Sequence, residues 1–344
     1  MLRILLVSDN GELISLIKRA LAGGELELVG VAQSQADAVE GAKRRKPDLI
    51  IVEPRMGLLD GISVVREIMV EAPAPIVIVA GKGDPDLGIG GADALASGAL
   101  AIIPAPLESG GKLEENSTRK FLSSLTAMSQ VKVVRRWRGR SERQGPHPKI
   151  VLQPSVRVVG IAASTGGPAA IKTILKSLPP EFPAPILVVQ HISDGYINGV
   201  ASSLDKALPL RVKVAENGDP LSPATVYFAP DRHQIGLRGK TRIAVADDPP
   251  VDGFRPSGTY LFESMAQAFG SQALAVVLTG MGRDGTEGLR SIRAANGLVI
   301  AQDAESSVVF GMPKAAIDSG LVDLVLPLEQ IAGEIARLAG ASKS

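Results

Sequence analysis

The segment 157–178 combines an apolar run, a turn of small residues and a helical pattern, in that order. The run Arg157–Ile161 is typical of a buried parallel strand, and Ala169–Leu178 has the apolar spacing of a helix. Ser164 lies at the apex of the turn between them. Because a strand that turns directly into a helix leaves backbone N–H groups uncovered at the helix N-terminus, negative charge is favoured there. Two interpretations follow: a serine nucleophile beside an oxyanion site, or a loop that binds phosphate.

Length and composition limit the class of protein. A chain of 344 residues predicts two domains, and 45% hydrophobic with 21% charged residues is ordinary for a soluble globular protein. The net charge of +1 and the 3% of aromatic residues argue against nucleic-acid binding. The absence of cysteine excludes disulfides, thiolate catalysis and zinc–thiolate sites. No apolar run is long enough for a signal peptide or a membrane span, so we expect a cytoplasmic protein without membrane insertion.

The segment 1–107 alternates short apolar runs with amphipathic helical segments, which predicts a first domain. The runs are Arg3–Val7, Leu26–Val31, Leu49–Val52, Ile76–Val79 and Ala99–Ile103. Five strands that alternate with helices predict a small doubly wound parallel sheet, whose functional site lies at the carboxyl ends of the strands. The residues that follow those ends are Ser8, Asp9, Glu53, Ala80 and Ala105.

Short motifs after the third and fifth strands are shared with a known family. They are Met56 and Asp60-Gly61 after the third strand, and the segment Pro104–Pro106 after the fifth. With this layout, the first domain resembles a response-regulator receiver domain, which implies a flavodoxin-like fold. A working receiver has two acidic residues after the first strand, a phosphorylatable aspartate after the third, serine or threonine after the fourth, and lysine before the last proline. At these places the chain has Ser8-Asp9, Glu53, Ala80 and Ala105.

These departures affect every part of the phosphorylation chemistry. Glu53 carries its carboxylate one methylene further out than aspartate would, which disfavours in-line attack on a phosphodonor. Ser8 replaces a carboxylate that would help to coordinate Mg²⁺. Ala80 and Ala105 lack the hydroxyl and ammonium groups that would sense a phosphoryl group. We therefore predict a pseudo-receiver with a degenerate phosphorylation site; the rival hypothesis is that Glu53 permanently mimics the phosphorylated state.

The segment 108–154 has a different character and predicts a linker. It begins with polar residues and ends in the basic, turn-rich stretch Arg135–Lys149. Between them, Ser117–Val134 can form one helix. One face of that helix would carry Phe121, Leu122, Leu125 and Met128. We interpret the basic stretch as a solvated tether; the alternative is an electrostatic contact with an acidic partner.

The segment 155–344 again alternates strand-like runs with helical patterns. The runs are Val156–Ile161, Pro185–Gln190, Val226–Ala229, Ala273–Leu278, Leu298–Ala301 and Val322–Val325. They predict a mostly parallel sheet in a second, α/β/α domain. Because the carboxyl ends of parallel strands meet at one edge of the sheet, residues directly after them converge. Ser164, His191 and Asp284 occupy such places.

These three residue types together permit nucleophilic catalysis without a cofactor. A serine hydroxyl becomes a good nucleophile when a neighbouring base takes its proton, and imidazole is suited to that near neutral pH. A carboxylate behind the imidazole holds its tautomer and stabilises the imidazolium. For the oxyanion we predict the backbone amides of Thr165 and Met281 as donors. His233 competes as the histidine of the site, but no nucleophile accompanies it; the role left for it is to line the cleft or orient substrate.

Each residue also has an ordinary structural interpretation. Ser164 by itself is a possible helix N-cap, His191 a core histidine, and Asp284 before a glycine a turn residue. The phosphate-loop interpretation lacks a Gly-Lys-Ser/Thr sequence and an acidic partner for ribose. No His, Asp or Glu cluster has metal-ligand spacing, so we expect neither a metal nor another cofactor.

Segments spread over the whole second domain match one known family. They are Ala163–Gly167, Val189–Ile192, Tyr227–Pro230 with His233, Arg255–Ser257, Leu278–Gly285, Ala301–Asp303 and Val309–Pro313. With these, the domain resembles the catalytic domain of the chemotaxis protein-glutamate methylesterase family, CheB. A receiver and a linker before this domain are also that family's architecture, so the resemblance covers nearly the full chain. It implies Ser164 as nucleophile, His191 as base and Asp284 as orienting acid; Ala162 departs from the glycine usual there.

The resemblance implies hydrolysis of glutamate γ-methyl esters on chemoreceptors, and in many members also deamidation of receptor glutamines. In the family an unphosphorylated receiver covers the active-site cleft, and phosphorylation relieves that block. Here we predict that this control is lost, so that activity is constitutive or is set by a signalling kinase or other partner docking on the first domain. Two alternatives stay open: a receptor-docking or scaffold module with a vestigial esterase site, and a general esterase for small molecules.

Overall fold

The protein is described by a computed structural model that covers residues 1–22, 24–56, 59–80, 97–109, 112–129 and 156–341. The predicted basic tether at 135–149 lies outside these described residues. In chain order, the elements up to residue 129 are β1 (Leu2–Val7), α1 (Gly11–Leu21), β2 (Leu26–Ala32), α2 (Gln35–Arg45), β3 (Leu49–Val52), β4 (Arg55–Met56), β5 (Leu59–Asp60), α3 (Gly61–Glu71), β6 (Ile76–Ala80), β7 (Ala101–Pro104), β8 (Glu108–Ser109), β9 (Lys112–Leu113) and α4 (Glu115–Ser129).

The first sheet has the strand order β2-β1-β3-β6-β7, and every pair in it is parallel. Its central strand β3 is buried along its whole length, because helices cover both faces of the sheet. The chain enters α1 through Asn10, whose side-chain oxygen accepts hydrogen bonds from the Glu12 and Leu13 amides. The doubly wound, flavodoxin-like fold predicted for this domain is confirmed.

Helix α4 differs from its predicted role as part of the linker. Phe121, Leu125 and Met128 are buried on the face of the first sheet that α1 also covers. The helix begins at Glu115 and ends at Ser129 within the described residues, whereas the prediction was Ser117–Val134. An apolar stripe at this spacing needs a partner surface, and the sheet of the first domain supplies it. The domain bounds themselves stay a prediction.

The second part of the chain forms its own sheet and core. Its elements are β10 (Val158–Ala163), α5 (Gly167–Lys176), β11 (Ile186–Gln190), α6 (Ile197–Ala207), β12 (Arg211–Val214), β13 (Thr225–Phe228), β14 (Gln234–Arg238), β15 (Arg242–Ala246), α7 (Gly258–Phe269), a 3-10 turn (Gly270–Gln272), β16 (Ala273–Val277), α8 (Thr286–Ala294), β17 (Leu298–Gln302), α9 (Met312–Asp318), β18 (Leu324–Leu326) and α10 (Leu328–Leu338).

The second sheet has the order β12-β13-β11-β10-β16-β17-β18 and is parallel throughout. All six residues of β10 are buried, which explains why its sequence is a continuous apolar run. From β10 the chain adds strands toward one edge of the sheet, and from β16 it adds them toward the other edge. This change of direction leaves a crevice beyond the carboxyl ends of β10 and β16, which is where open α/β sheets bind ligands.

The predicted strands of this domain are present, with ends shifted by a few residues. Sequence patterns missed β12 and the antiparallel hairpin β14–β15, which lies outside the main sheet. These are short, partly exposed strands, and their apolar residues are too few to form a clear period. The mostly parallel α/β/α fold is nevertheless confirmed.

Several contacts join the first and second domains near the crevice. The Ser193 hydroxyl donates a hydrogen bond to the Ile102 carbonyl at 3.2 Å, and the Gly166 amide donates to the Leu100 carbonyl at 3.4 Å. Val308 packs against the core of the first domain. The carboxyl edge of the second sheet therefore faces the first domain. Among the described residues, every helix is too short or too polar to cross a lipid bilayer.

Candidate active site

The turn after β10 holds Ser164 at the carboxyl edge of the sheet. The Ser164 amide donates a hydrogen bond to the Thr279 carbonyl at 3.1 Å, and the Ser164 carbonyl accepts one from the Gly167 amide at 2.8 Å. Gly280 packs so closely that a Cβ there would lie 2.7 Å from the Ser164 Cβ. Because any larger residue at position 280 would collide with Ser164, this close approach of the two loops requires Gly280. The Ser164 backbone is thereby fixed by the loop after β16.

His191 and Asp284, which are 93 positions apart in the chain, lie side by side. His191 Nε2 is 2.9 Å from Asp284 Oδ2, and their side chains are only 14% and 1% exposed. The imidazole ring stacks on the Phe254 ring with a centroid separation of 4.5 Å and an interplanar angle of 8°. Both ring nitrogens are buried and neither makes a hydrogen bond of good geometry among the described residues, so Nε2 meets Asp284 only at ion-pair distance.

The Asp284 carboxylate is surrounded by hydrogen-bond donors. Oδ2 accepts from the Gly258 amide at 2.6 Å, and Oδ1 accepts from the Ser257 hydroxyl and the Gly285 amide, both at 2.8 Å. Burial by itself raises the pKa of Asp284, but the close His191 imidazole and the hydrogen bond from the Gly258 amide outweigh it and bring the pKa below its ordinary value. Asp284 is therefore ionised near neutral pH and presents negative charge to the imidazole.

Ser164 and His191 line one cavity of about 360 Å³, together with Thr165 and Gln190. On its other side the cavity is lined by the first domain, with β7 and two residues of α4. The structure thus brings the predicted serine and histidine to the same space, with the predicted aspartate directly behind the histidine. Nucleophilic catalysis by serine needs the base within reach of the hydroxyl, and here the two side chains share the cavity without a hydrogen bond between them.

Of the two predicted oxyanion donors, Thr165 lines this cavity, whereas neither Met281 nor His233 is among its lining residues. In the described part of the chain, neither the Thr165 nor the Met281 backbone amide donates a hydrogen bond. The Met281 side chain is 46% exposed, which places its loop at the surface. His233 is exposed, and its Nδ1 lies 2.7 Å from the Asp231 carbonyl oxygen. A role of His233 in orienting substrate stays a prediction without a supporting contact.

The carboxyl edge of the first sheet contains a small polar cluster around Glu53. Ser8 Oγ donates to Glu53 Oε2 at 2.5 Å, and Asn10 Nδ2 donates to Oε1 at 3.1 Å. Asp9 is exposed, Ala80 ends β6, and Ala105 follows β7. Both Glu53 oxygens thus bind neutral side chains. Sequence reasoning missed Asn10, although an asparagine directly before a helical pattern is an N-cap signal.

Sequence reasoning also missed the buried polar residues that support the site. Gln190 bonds to the carbonyls of Ser164 and His191, and Thr279 bonds to the carbonyl of Thr165. Gln302 in turn accepts from the Thr279 amide at 2.9 Å. Gln190 and Gln302 end otherwise apolar strands, and a polar residue at that place was the available signal. Nothing in the sequence pattern pointed to Phe254.

The described residues hold no metal-binding cluster. Across them, no three His, Cys, Asp or Glu side chains converge as a metal ion would require. The groups present at or directly beside the cavity are a hydroxyl, an imidazole, a carboxylate and backbone amides.

Comparisons with known proteins match both parts of the chain. The CheB methylesterase family matches residues 159–335, and the response regulator receiver domain matches residues 4–106. The group 3 operon protein-glutamate methylesterase/protein-glutamine glutaminase of Rhizobium meliloti (strain 1021) is 53% identical over 98% of this chain and 97% of its own length. A similarly named protein, number 4 of Myxococcus xanthus (strain DK1622), is 43% identical over 97% of this chain and 96% of its own length.

A solved structure matches the second domain. The catalytic domain of the Thermotoga maritima CheB methylesterase is 40% identical and covers 54% of this chain and 99% of its own, with a TM-score of 0.52. The family match to the second domain, the receiver match to the first and the relatives that span nearly the whole length all agree. The chain therefore belongs to the CheB methylesterase family.

Proposed function

We propose that this protein hydrolyses glutamate γ-methyl esters on the cytoplasmic helical bundles of chemoreceptors, and that the same site deamidates receptor glutamines. The observation that carries the proposal is the 2.9 Å separation of His191 Nε2 and Asp284 Oδ2 at a cavity that Ser164 also lines. The names of the relatives, protein-glutamate methylesterase/protein-glutamine glutaminase, support the substrate class.

In the proposed mechanism, Ser164 Oγ attacks the ester carbonyl and its proton passes to the imidazole of His191. Because Nε2 faces Asp284, Nδ1 is the nitrogen that receives the proton. The Thr165 and Met281 amides stabilise the oxyanion. The imidazolium then returns the proton to the leaving oxygen, and methanol departs from the acyl-enzyme. Water attacks that ester in the same way, releasing glutamate and restoring Ser164; from glutamine, ammonia is the first product.

The test of this function is product release by the full-length chain. A methylated cytoplasmic receptor fragment is expected to yield methanol, and the corresponding glutamine form is expected to yield ammonia. Small alkyl esters serve as controls for a general esterase and should react far more slowly, because they lack the remote contacts that a receptor helix offers. Receptor binding without methanol or ammonia release would contradict the proposal and favour the scaffold alternative.

We also propose that phosphorylation no longer controls the activity. The proposal is supported by the cluster in which Ser8 and Asn10 donate to both oxygens of Glu53. A glutamate held in this way is poorly placed to attack a phosphodonor, and the Ser8 hydroxyl is a weaker Mg²⁺ ligand than a carboxylate. Activity is then constitutive, or is set by a signalling kinase or other partner that docks on the first domain.

Adding acetyl phosphate with Mg²⁺ is expected to leave the rate of methanol release unchanged within about twofold. Methanol release is measured with and without the phosphodonor, and a receiver domain that acetyl phosphate does phosphorylate serves as the positive control. A several-fold increase in the rate would show that phosphorylation control is retained and would contradict this proposal.

A further inference from the structure

Gln190 lies at the end of β11, directly before His191, and its residue surface is only 3% exposed. Its Nε2 donates one hydrogen bond to the Ser164 carbonyl at 2.9 Å and another to the His191 carbonyl at 2.8 Å. A side-chain amide nitrogen carries two protons, so both are used. A single buried group therefore joins the backbones of the proposed nucleophile and the proposed base.

The orientation of this amide is set by its surroundings. If its oxygen and nitrogen were exchanged, Oε1 would face two carbonyl oxygens and both would lose their donor. Oε1 instead points to Gly167, where an added Cβ would lie 2.0 Å from it, and it has no hydrogen-bond partner in the described part of the chain. Burying an unpartnered carbonyl oxygen lowers stability. The two donated bonds are therefore what the glutamine contributes at this place.

A second set of bonds fixes the serine turn from the opposite side. The Thr279 carbonyl accepts from the Ser164 amide at 3.1 Å, and Thr279 Oγ1 donates to the Thr165 carbonyl at 2.9 Å. These bonds tie the turn to the loop after β16, which also carries Asp284. Between the turn and the segment that carries His191, Gln190 adds a side-chain link to the backbone bond from the His191 amide to the Ala163 carbonyl at 2.9 Å.

We propose that Gln190 is a positioning residue that fixes the separation between Ser164 and His191. The proposal rests on the function proposed above, since it assigns these two residues as nucleophile and base. Misplacement of reacting groups by about 1 Å can lower a rate by about 10²-fold. Loss of both donated bonds should therefore lower kcat, while KM should change little because Gln190 has almost no surface to offer to substrate.

The first variant is Gln190→Met, which keeps the length of the side chain and removes both donors. Its matched control is Thr225→Val, which removes a buried hydroxyl whose 3.1 Å bond to the Pro223 carbonyl lies at the amino end of β13, away from the cavity. For each protein the readouts are kcat and KM for methanol release, the rate at which a small fluorophosphonate labels Ser164, and the thermal unfolding midpoint.

We expect Gln190→Met to lower kcat and the labelling rate by about 10-fold to 100-fold, with KM within about threefold of wild type. Thr225→Val should keep both rates within about twofold, even if its unfolding midpoint falls equally. The second variant, Gln190→Glu, keeps the shape of the side chain but removes both donors and places a carboxylate against two carbonyl oxygens. We expect it to lower kcat and the labelling rate at least as much as Gln190→Met does. Unchanged rates in Gln190→Met, an equal loss in Thr225→Val, or failure of both Gln190 variants to fold would overturn the positioning role.

The same measurements separate this proposal from the proposed function. If the wild-type chain released no methanol, the proposed function would fail, whereas slower labelling of Ser164 in Gln190→Met would still support the positioning role. If the wild-type chain released methanol and Gln190→Met did so equally well, only the positioning role would fail.

Discussion

Replacing Ser164 with alanine is expected to lower the rate of methanol release by about 10⁴-fold or more. Alanine cannot form the covalent acyl intermediate, so the residual rate is what substrate binding and the oxyanion amides supply. The turn itself should persist, because it is held by backbone bonds such as that from the Ser164 amide to the Thr279 carbonyl. The measurement is methanol released by the variant and by wild type from the same methylated receptor fragment.

The matched control is Ser177→Ala at the other end of α5. The Ser177 hydroxyl is exposed and donates to the Thr173 carbonyl at 3.1 Å, so its loss should leave the rate within about twofold of wild type. The thermal unfolding midpoint of Ser164→Ala should match that of wild type. If Ser164→Ala kept more than about one hundredth of the rate, water activated by a general base would be the nucleophile, and the covalent mechanism would be wrong.

Replacing Asp284 with asparagine is expected to lower the rate by about 10³-fold to 10⁴-fold. The negative charge 2.9 Å from His191 Nε2 would be lost, and with it the stabilisation of the imidazolium that forms when Ser164 gives up its proton. An asparagine offers one oxygen and one NH₂ group where Asp284 offers two accepting oxygens. If the NH₂ group faced His191 Nε2, that nitrogen would have to accept a hydrogen bond, which would change the preferred tautomer of the imidazole. Methanol release at neutral pH is the measurement.

The same variant should be less stable, by about 1–3 kcal/mol in the free energy of unfolding at neutral pH, because buried donors around Asp284 lose an acceptor. The pKa of Asp284 is lower in the folded chain than its ordinary value of 3.8, so its charge stabilises the fold above that pH. This contribution is lost as the pH falls through the folded-state pKa. The stability difference between wild type and Asp284→Asn should therefore shrink in acid, as urea unfolding at each pH would measure.

The control for this prediction is Ser257→Ala. It removes the 2.8 Å bond to Asp284 Oδ1 and the N-cap of α7, but it keeps the carboxylate and its contact with His191. It should lower the free energy of unfolding by about 1 kcal/mol, and it should lower the rate of methanol release far less than Asp284→Asn does. If the two variants lost activity equally, the packing around Asp284 and not its charge would be what matters.

Much of the fold could be predicted from local patterns. Each apolar run bounded by turn residues became a strand, and the alternation with helices led to two parallel sheets. Helix α4 was predicted as a helix but assigned to the linker, because an apolar stripe in the sequence does not indicate which surface it packs against. The strands β12, β14 and β15 were missed, since short and half-exposed segments carry too little periodic signal.

The candidate site divides in a similar way. Residues directly after strand ends were accessible to sequence reasoning, because parallel strands must bring those ends to one edge. That rule, with the scarcity of histidines and the family resemblance, selected Ser164, His191 and Asp284, and the structure brings these three to the crevice beside β10 and β16. His233 also follows a strand, yet its loop turns it to the surface. The rule predicts at which edge of the sheet a residue lies, but not in which direction its side chain points.

The sequence by itself determined most strands of the two parallel sheets and the side chains at their carboxyl ends, because both follow from the local spacing of apolar and polar residues. Only the tertiary structure decided the partners: Phe254 against the imidazole, Gln190 between two carbonyls, and Asn10 and Ser8 on Glu53. Such contacts join residues far apart in the chain. A hydrogen bond depends on tenths of an ångström and on direction, and packing of the whole domain sets both.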